Sequence, residues 1–181
     1  EHIAHRAGLK KVSMELGSNC PVIVLNDADI ADAVESCVSG AFSAVGQNCI
    51  GVQRIYIEKD SYNVFLQAFK QFVKKLRVGD KMDEKTDIGP LISEQEAKRI
   101  EDWVNEALFD GATLQAGGKR EGAFYEPTVL TDVPEFSKIS QEEIFGPVVL
   151  LYPVEDLNEA IEKSINVKFG LQAGLFSSNI E

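Results

Sequence analysis

The sequence predicts an open, mostly parallel α/β sheet with flanking helices, and two observations carry that reading. Short apolar, β-branched runs alternate with amphipathic segments of about ten or more residues, the signature of strands joined by crossover helices. The clearest run, Pro21-Val22-Ile23-Val24-Leu25, is apolar throughout, as a strand buried on both faces of a parallel sheet must be. The chain has 181 residues, 44% of them hydrophobic, which is the size of one domain able to bury a core without disulfides.

The elements follow in order. Glu1–Lys11 spaces Ile3, Ala4, Ala7 and Leu9 helically with no N-cap before them, and reads as a helix whose start is missing. The Pro21–Leu25 strand comes next, bounded by Gly17-Ser18-Asn19 and Asn26-Asp27. Asp29 is placed to N-cap a helix bearing Ile30, Ala33, Val34, Cys37, Val38, Ala41 and Phe42 on one stripe and ending near Gly46. Arg54-Ile55-Tyr56-Ile57 reads as a strand, and Ser61 as the start of a helix running to Leu76. The polar stretch Gly79–Pro90 connects to a second helix, which Ser93 and Glu96 open as a capping box. A brief strand at Gly111–Gln115, a Gly117-Gly118-Lys119 turn and an extended Pro127–Leu130 follow. Val148–Tyr152 is a strong strand, Leu157–Asn166 a short helix and Leu171–Phe176 a last strand. No linker or internal repeat divides the chain.

Charge and cysteine content narrow the function. Eighteen Lys and Arg against 29 Asp and Glu give a net charge of −11, the wrong sign for a nucleic-acid or anionic-membrane surface. No run reaches the roughly 18 to 20 apolar residues of a membrane span, and no signal core follows the basic N-terminus. Cys20, Cys37 and Cys49 have no CxxC spacing and the only histidines are His2 and His5, too few ligands for zinc. The chain reads as reduced and cytosolic, with no metal, nucleic-acid or membrane partner.

Three segments could carry chemistry. Cys49 lies in Gly46-Gln47-Asn48-Cys49-Ile50-Gly51, between a helix and a strand. Flanking glycines leave backbone room for a substrate carbonyl, and neighbouring amides can hold an oxyanion. Against this stands the commoner fate of a free cysteine, burial as an inert core residue, which is the reading for Cys37 and Cys20. Glu15, in Met14-Glu15-Leu16-Gly17, can serve as a general base if burial raises its pKa; alone it reads as a solvated acid. Glu142-Glu143-Ile144-Phe145-Gly146-Pro147 is a rigid turn that can fix a carboxylate and a ring at a sheet edge, although a solvated Glu and a core Phe are the default.

Taken together, Met14-Glu15-Leu16-Gly17, Gly46-Gln47-Asn48-Cys49, Gly89-Pro90-Leu91-Ile92, Glu126-Pro127-Thr128-Val129-Leu130 and Glu142-Glu143-Ile144-Phe145-Gly146-Pro147 resemble, in order and spacing, the aldehyde dehydrogenase superfamily over essentially the whole chain. The resemblance implies that Cys49 is the thiol that attacks the aldehyde carbon and that Glu15 activates the water that hydrolyses the resulting thioester. It implies that Glu143 holds the nicotinamide ribose, that Phe145 helps place the nicotinamide ring, and that NAD or NADP is the cofactor. The substrate implied is a small aldehyde, and the parent enzyme is expected to be a homo-oligomer. Gly17-Ser18-Asn19 departs from the Gly-Gly-Lys or Gly-Gly-Asn of many relatives.

Family members are much longer. Residues 1–181 therefore read as a thiol-bearing catalytic-domain fragment without the dinucleotide-binding half or the C-terminal oligomerisation segment, and without dehydrogenase turnover of its own. Two alternatives stay open: a coenzyme-A-acylating dehydrogenase, disfavoured by the presence of Glu15, and a non-catalytic folded domain with a buried thiol. A cofactor-free thiol hydrolase would have to use Glu15, since no His follows His5.

Overall fold

The apolar runs pair into one six-stranded sheet, seen in a computed structural model that describes residues 2–179. Its strands are β1 (Cys20–Val24), β2 (Val52–Glu58), β3 (Thr113–Ala116), β6 (Thr128–Thr131), β7 (Val148–Val154) and β8 (Gly174–Phe176); β4 (Arg120–Glu121) and β5 (Phe124–Tyr125) form a separate hairpin. The order across the sheet is β3-β6-β7-β2-β1-β8. Every neighbouring pair is parallel except β3 with β6, so the predicted open, mostly parallel α/β sheet is the observed one.

The helices are α1 (His2–Arg6), α2 (Ile30–Phe42), α3 (Lys59–Val73), α4 (Glu94–Phe109), α5 (Lys138–Gln141) and α6 (Leu157–Ile165). Asp29 caps α2 as its residue type predicts, accepting the Ala31 and Asp32 N–H groups at 2.9 and 3.2 Å. The α2 stripe of Ala33, Val34, Cys37, Val38, Ala41 and Phe42 is buried. Helices α2 and α3 pack on each other and on β2 and β7, while α6 packs on β1, β2 and β7. Strand alternation divides β2 accordingly. Arg54 and Tyr56 reach the last turn of α6, and Ile55 and Ile57 turn the other way into the core.

Several expected boundaries move. The opening helix stops at Arg6 rather than Lys11, because Gly8 takes φ +61 and no residue of α1 is buried to hold it. Glu1 lies outside the described residues. Helix α3 begins two residues before Ser61, directly after β2. Its N-cap Glu58 makes no capping bond, its carboxylate instead accepting the Asn26 N–H. Ser93 does cap α4, accepting the Glu96 N–H at 3.2 Å, but the Glu96 carboxylate pairs with Arg99 rather than completing the box. Strand β8 keeps only Gly174–Phe176 of the expected run. The hairpin and the single turn α5 carry too short a pattern to be seen in sequence.

Candidate active site

Three segments come together where they enter adjacent strands: Gly17–Asn19 leads into β1, Cys49–Gly51 into β2 and Glu143–Pro147 into β7. Ligands of open α/β sheets usually lie beyond the carboxyl ends of the strands; here the converging groups lie at the amino ends.

The Cys49 loop is shaped by an abrupt end to α2. Ala44, Val45 and Gly46 take φ values of 52°, 61° and 68° within the 3-10 turn Ser43–Gly46, a left-handed turn costing about 1–2 kcal/mol per non-glycine residue. Gly46 pays no such penalty, but its missing side chain matters more. A Cβ there would run into the Gly146 carbonyl. The room expected for a substrate beside Gly46 is therefore filled by the Gly146-Pro147 backbone. Gln47 anchors the loop outward, its Oε1 accepting the Ile92 N–H at 3.0 Å.

Cys49 itself is a half-buried free thiol. Among the described residues no hydrogen bond engages its main-chain N–H. Its carbonyl accepts from the Cys20 thiol at 3.7 Å, and the same sulfur lies 2.9 Å from Ser18 Oγ. Cys20, expected as packing, is buried and also holds the backbone of the Cys49 loop. Cys37 is core filling as expected: burial pushes its thiol up to about 12, so it stays neutral and inert.

Glu143 is half-buried and engaged. Its Oε1 accepts the Ser18 N–H at 2.8 Å, and it lies so close to Gly17 that any Cβ there would collide with its carboxylate. Phe145 is not a core residue, being 42% exposed on a left-handed backbone with φ 51°. A strained, exposed ring in an otherwise packed turn is the kind of outlier that marks a functional position. Cys49, Glu143 and Phe145 line one narrow cleft with Ser18, Gln53 and Gly146. Its enclosed space of about 10 Å³ holds roughly one water.

Glu15 is not among the residues lining that cleft. It is exposed on an irregular segment, three residues before the Ser18 anchor. The burial on which its expected basicity depended is absent in this arrangement.

Sequence reasoning passed over Asn19, Gln53 and Arg54, all buried. Arg54 donates five hydrogen bonds, to the Asn19 side chain and carbonyl, Tyr56 Oη and the Lys163 and Ser164 carbonyls. No carboxylate pairs with it among the described residues. The available signal was a Gln-Arg pair directly after Val52 in a strand otherwise apolar as far as Ile57, because a buried polar group is the informative exception.

The cleft is too small to enclose a nicotinamide ring, but two groups at its edge have the chemistry to meet the inner half of a nicotinamide dinucleotide. The Glu143 carboxylate spends one oxygen on Ser18 and keeps acceptor capacity for ribose hydroxyls, and the Phe145 ring offers an exposed apolar face beside it.

Known proteins share this architecture. The profile of the aldehyde dehydrogenase family matches residues 1–181. An aldehyde-dehydrogenase-like protein, y4uC, of Sinorhizobium fredii is 51% identical over 180 residues, covering 99% of this chain and 35% of its own length. The 3-sulfolactaldehyde dehydrogenase of Priestia aryabhattai is 46% identical over 181 residues, 100% of this chain and 38% of its own. The crystal structure of aldehyde dehydrogenase 21 from Physcomitrella patens, in complex with the reaction product succinate, superposes with a TM-score of 0.94 at 46% identity, covering 99% of this chain and 37% of that one. A glyceraldehyde-3-phosphate dehydrogenase from Methanocaldococcus jannaschii complexed with NADP gives a TM-score of 0.94 at 37% identity, again over 99% of this chain and 39% of that one. The chain thus spans little more than a third of the relatives it matches. On the family match and these identities, the chain belongs to the aldehyde dehydrogenase family.

Proposed function

We propose that the protein carrying this chain oxidises a small aldehyde to a carboxylic acid with NAD or NADP, through a covalent intermediate on Cys49. The observation that supports it is the single cleft gathering Cys49, Glu143 and Phe145 from segments far apart in sequence. The Cys49 thiolate adds to the aldehyde carbon, and its own main-chain N–H donates to the oxygen that becomes negative. Glu143 holds the ribose hydroxyls and Phe145 buttresses the ring. The chemistry a bound nicotinamide dinucleotide supplies is acceptance of hydride from the carbon attached to Cys49. The thioester left on Cys49 is released by water, with Glu15 assigned as the base that takes its proton. The named substrates of the relatives, 3-sulfolactaldehyde among them, make a short polar aldehyde the class to try first.

The exposed position of Glu15 favours one rival, release of the acyl group to coenzyme A without a general base. Product analysis on the full-length protein, with and without coenzyme A, separates the two. Free acid formed without coenzyme A supports the hydrolytic reading, and acyl-coenzyme A as the sole product overturns it. The primary test is mass spectrometry of that protein quenched during turnover. An acyl adduct on Cys49, absent in Cys49→Ser, is expected; an active Cys49→Ser enzyme would sink the proposal. Residues 1–181 alone act as a thiol-bearing catalytic-domain piece, expected to show no dehydrogenase turnover while Cys49 is slowly acylated by activated esters.

A further inference from the structure

The Glu143 segment has no sheet ladder or helix to hold it. Helix α5 ends at Gln141 and β7 begins only at Val148, so the peptide groups between them must find other partners. One buried side chain supplies them on both sides of Glu143. Gln53, 6% exposed, donates from Nε2 to the Glu142 carbonyl at 2.8 Å and the Ile139 carbonyl at 3.2 Å, and accepts the Ile144 N–H at Oε1 at 3.0 Å. Two carbonyls and one N–H around a single amide admit only one orientation of it, with every hydrogen-bonding group used in its proper sense. Gln53 thus does for the peptides flanking Glu143 what a neighbouring strand would do.

We propose that Gln53 is a positioning residue for Glu143, holding the peptides on either side of it so that its carboxylate, itself bound by the Ser18 N–H, stays at the edge of the Cys49 cleft, and so setting the affinity for the nicotinamide cofactor. This rests on the reading of Glu143 as the group that holds the ribose. Other residues do not substitute for it. Asn19 also donates to the Glu142 carbonyl at 3.2 Å, and Arg99 donates to the Ile144 carbonyl at 2.7 Å, but neither accepts the Ile144 N–H. Without Gln53 that buried donor is unpaired, a loss that a short irregular segment relieves by shifting. Gln53 lies in β2, four residues after Cys49, so the strand that carries the nucleophile's loop also sets the cofactor carboxylate. The spacing between the two is therefore built into one rigid element.

The test uses the full-length protein with Gln53→Leu, Gln53→Glu, Glu143→Gln and the Gln53→Leu/Glu143→Gln pair. Binding of NADH and NADPH is read by fluorescence titration, and protection of the Ile144 amide by hydrogen exchange. Gln53→Leu is expected to weaken binding about tenfold and to expose the Ile144 amide. Gln53→Glu keeps an acceptor for that amide but sets a carboxylate oxygen against the Glu142 and Ile139 carbonyls where Nε2 had donated, and is expected to weaken binding as well. The pair should bind no more weakly than Glu143→Gln alone, since a residue acting through Glu143 has nothing left to act on. Wild-type binding by Gln53→Leu, or losses that multiply in the pair, overturns the proposal while leaving the role of Glu143 intact. If Gln53→Leu does not fold, wild-type binding and protection in Gln53→Glu overturn it equally. Wild-type binding by Glu143→Gln is separately visible: it removes the ribose reading and this inference with it.

Discussion

Gly46 lies directly on the Gly146 carbonyl, with no space for a Cβ between them. The contact joins the loop that carries Cys49 to the turn that carries Phe145, and the left-handed φ of +68° at Gly46 adds a second reason for glycine. Gly46→Ala is expected to lose at least about 2 kcal/mol and to disturb the Cys49 cleft. Gly122 provides the comparison, since it shares the left-handed conformation at φ +57° but has nothing near its missing side chain. Gly122→Ala should cost only the conformational part, about 1 kcal/mol. Equal losses in denaturant unfolding would show that the contact with Gly146 contributes nothing.

The three thiols should separate by reactivity. Cys49 is half-buried beside a cleft, whereas Cys20 and Cys37 are buried. Brief treatment of the native protein with limiting alkylating reagent at pH 8, followed by peptide mapping, is expected to mark Cys49 before the other two. Even labelling of all three, or none, contradicts the assembled cleft.

Arg54 tests how the strand entry is held. A guanidinium buried with no paired carboxylate among the described residues survives because each of its donors meets an acceptor, two of them carbonyls at the end of α6, where the helix dipole favours positive charge. Arg54→Lys keeps the charge but cannot reproduce the fork. A loss of about 2–4 kcal/mol is expected in urea unfolding; a loss below about 1 kcal/mol would mean that the network adds little.

Cys37 predicts an alkaline effect. Its thiol is raised from 9.0 to about 12 in the folded chain by burial. Below pH 9 both states keep the proton and stability is unaffected. Between pH 9 and 12 only the unfolded chain loses it, so stability falls by up to about 1.4 kcal/mol per pH unit. Unfolding measured at pH 8 and pH 11 for wild type and Cys37→Ala should show a shallower decline in the variant. Parallel declines would exclude Cys37 as the source.

Much of the fold was legible because its elements carry strong periodic patterns. The α2 stripe, the Asp29 cap and the continuous apolar strands β1 and β7 each announce themselves locally. What failed was short or tertiary in origin: the hairpin of β4 and β5, the single turn α5, and the end of α1 at Gly8. At the site, the motifs named Cys49, Glu143 and Phe145, and these three share the cleft. Their spatial support was hidden, because Asn19, Gln53 and Arg54 bond to backbone far away in sequence, and no local spacing encodes such partners. Glu15 was read from its motif, and its exposed position depends on the path of an irregular segment that no periodicity describes.

The placement of the cleft at the entries to β1, β2 and β7 has a kinetic consequence. The Glu143 carboxylate and the Ser18 N–H are 125 positions apart, and they meet only after β7 has docked on β2 and β2 on β1. Contacts of such long sequence separation form late, because the entropy of closing the intervening loop must be met first. A nascent chain that has released Cys49 but not yet residue 143 therefore lacks the cleft that Glu143 and Phe145 complete. The cleft arises with the completed sheet, and because β7 lies between β6 and β2, parting it from β2 dismantles the cleft together with the β3-β6-β7 half of the sheet.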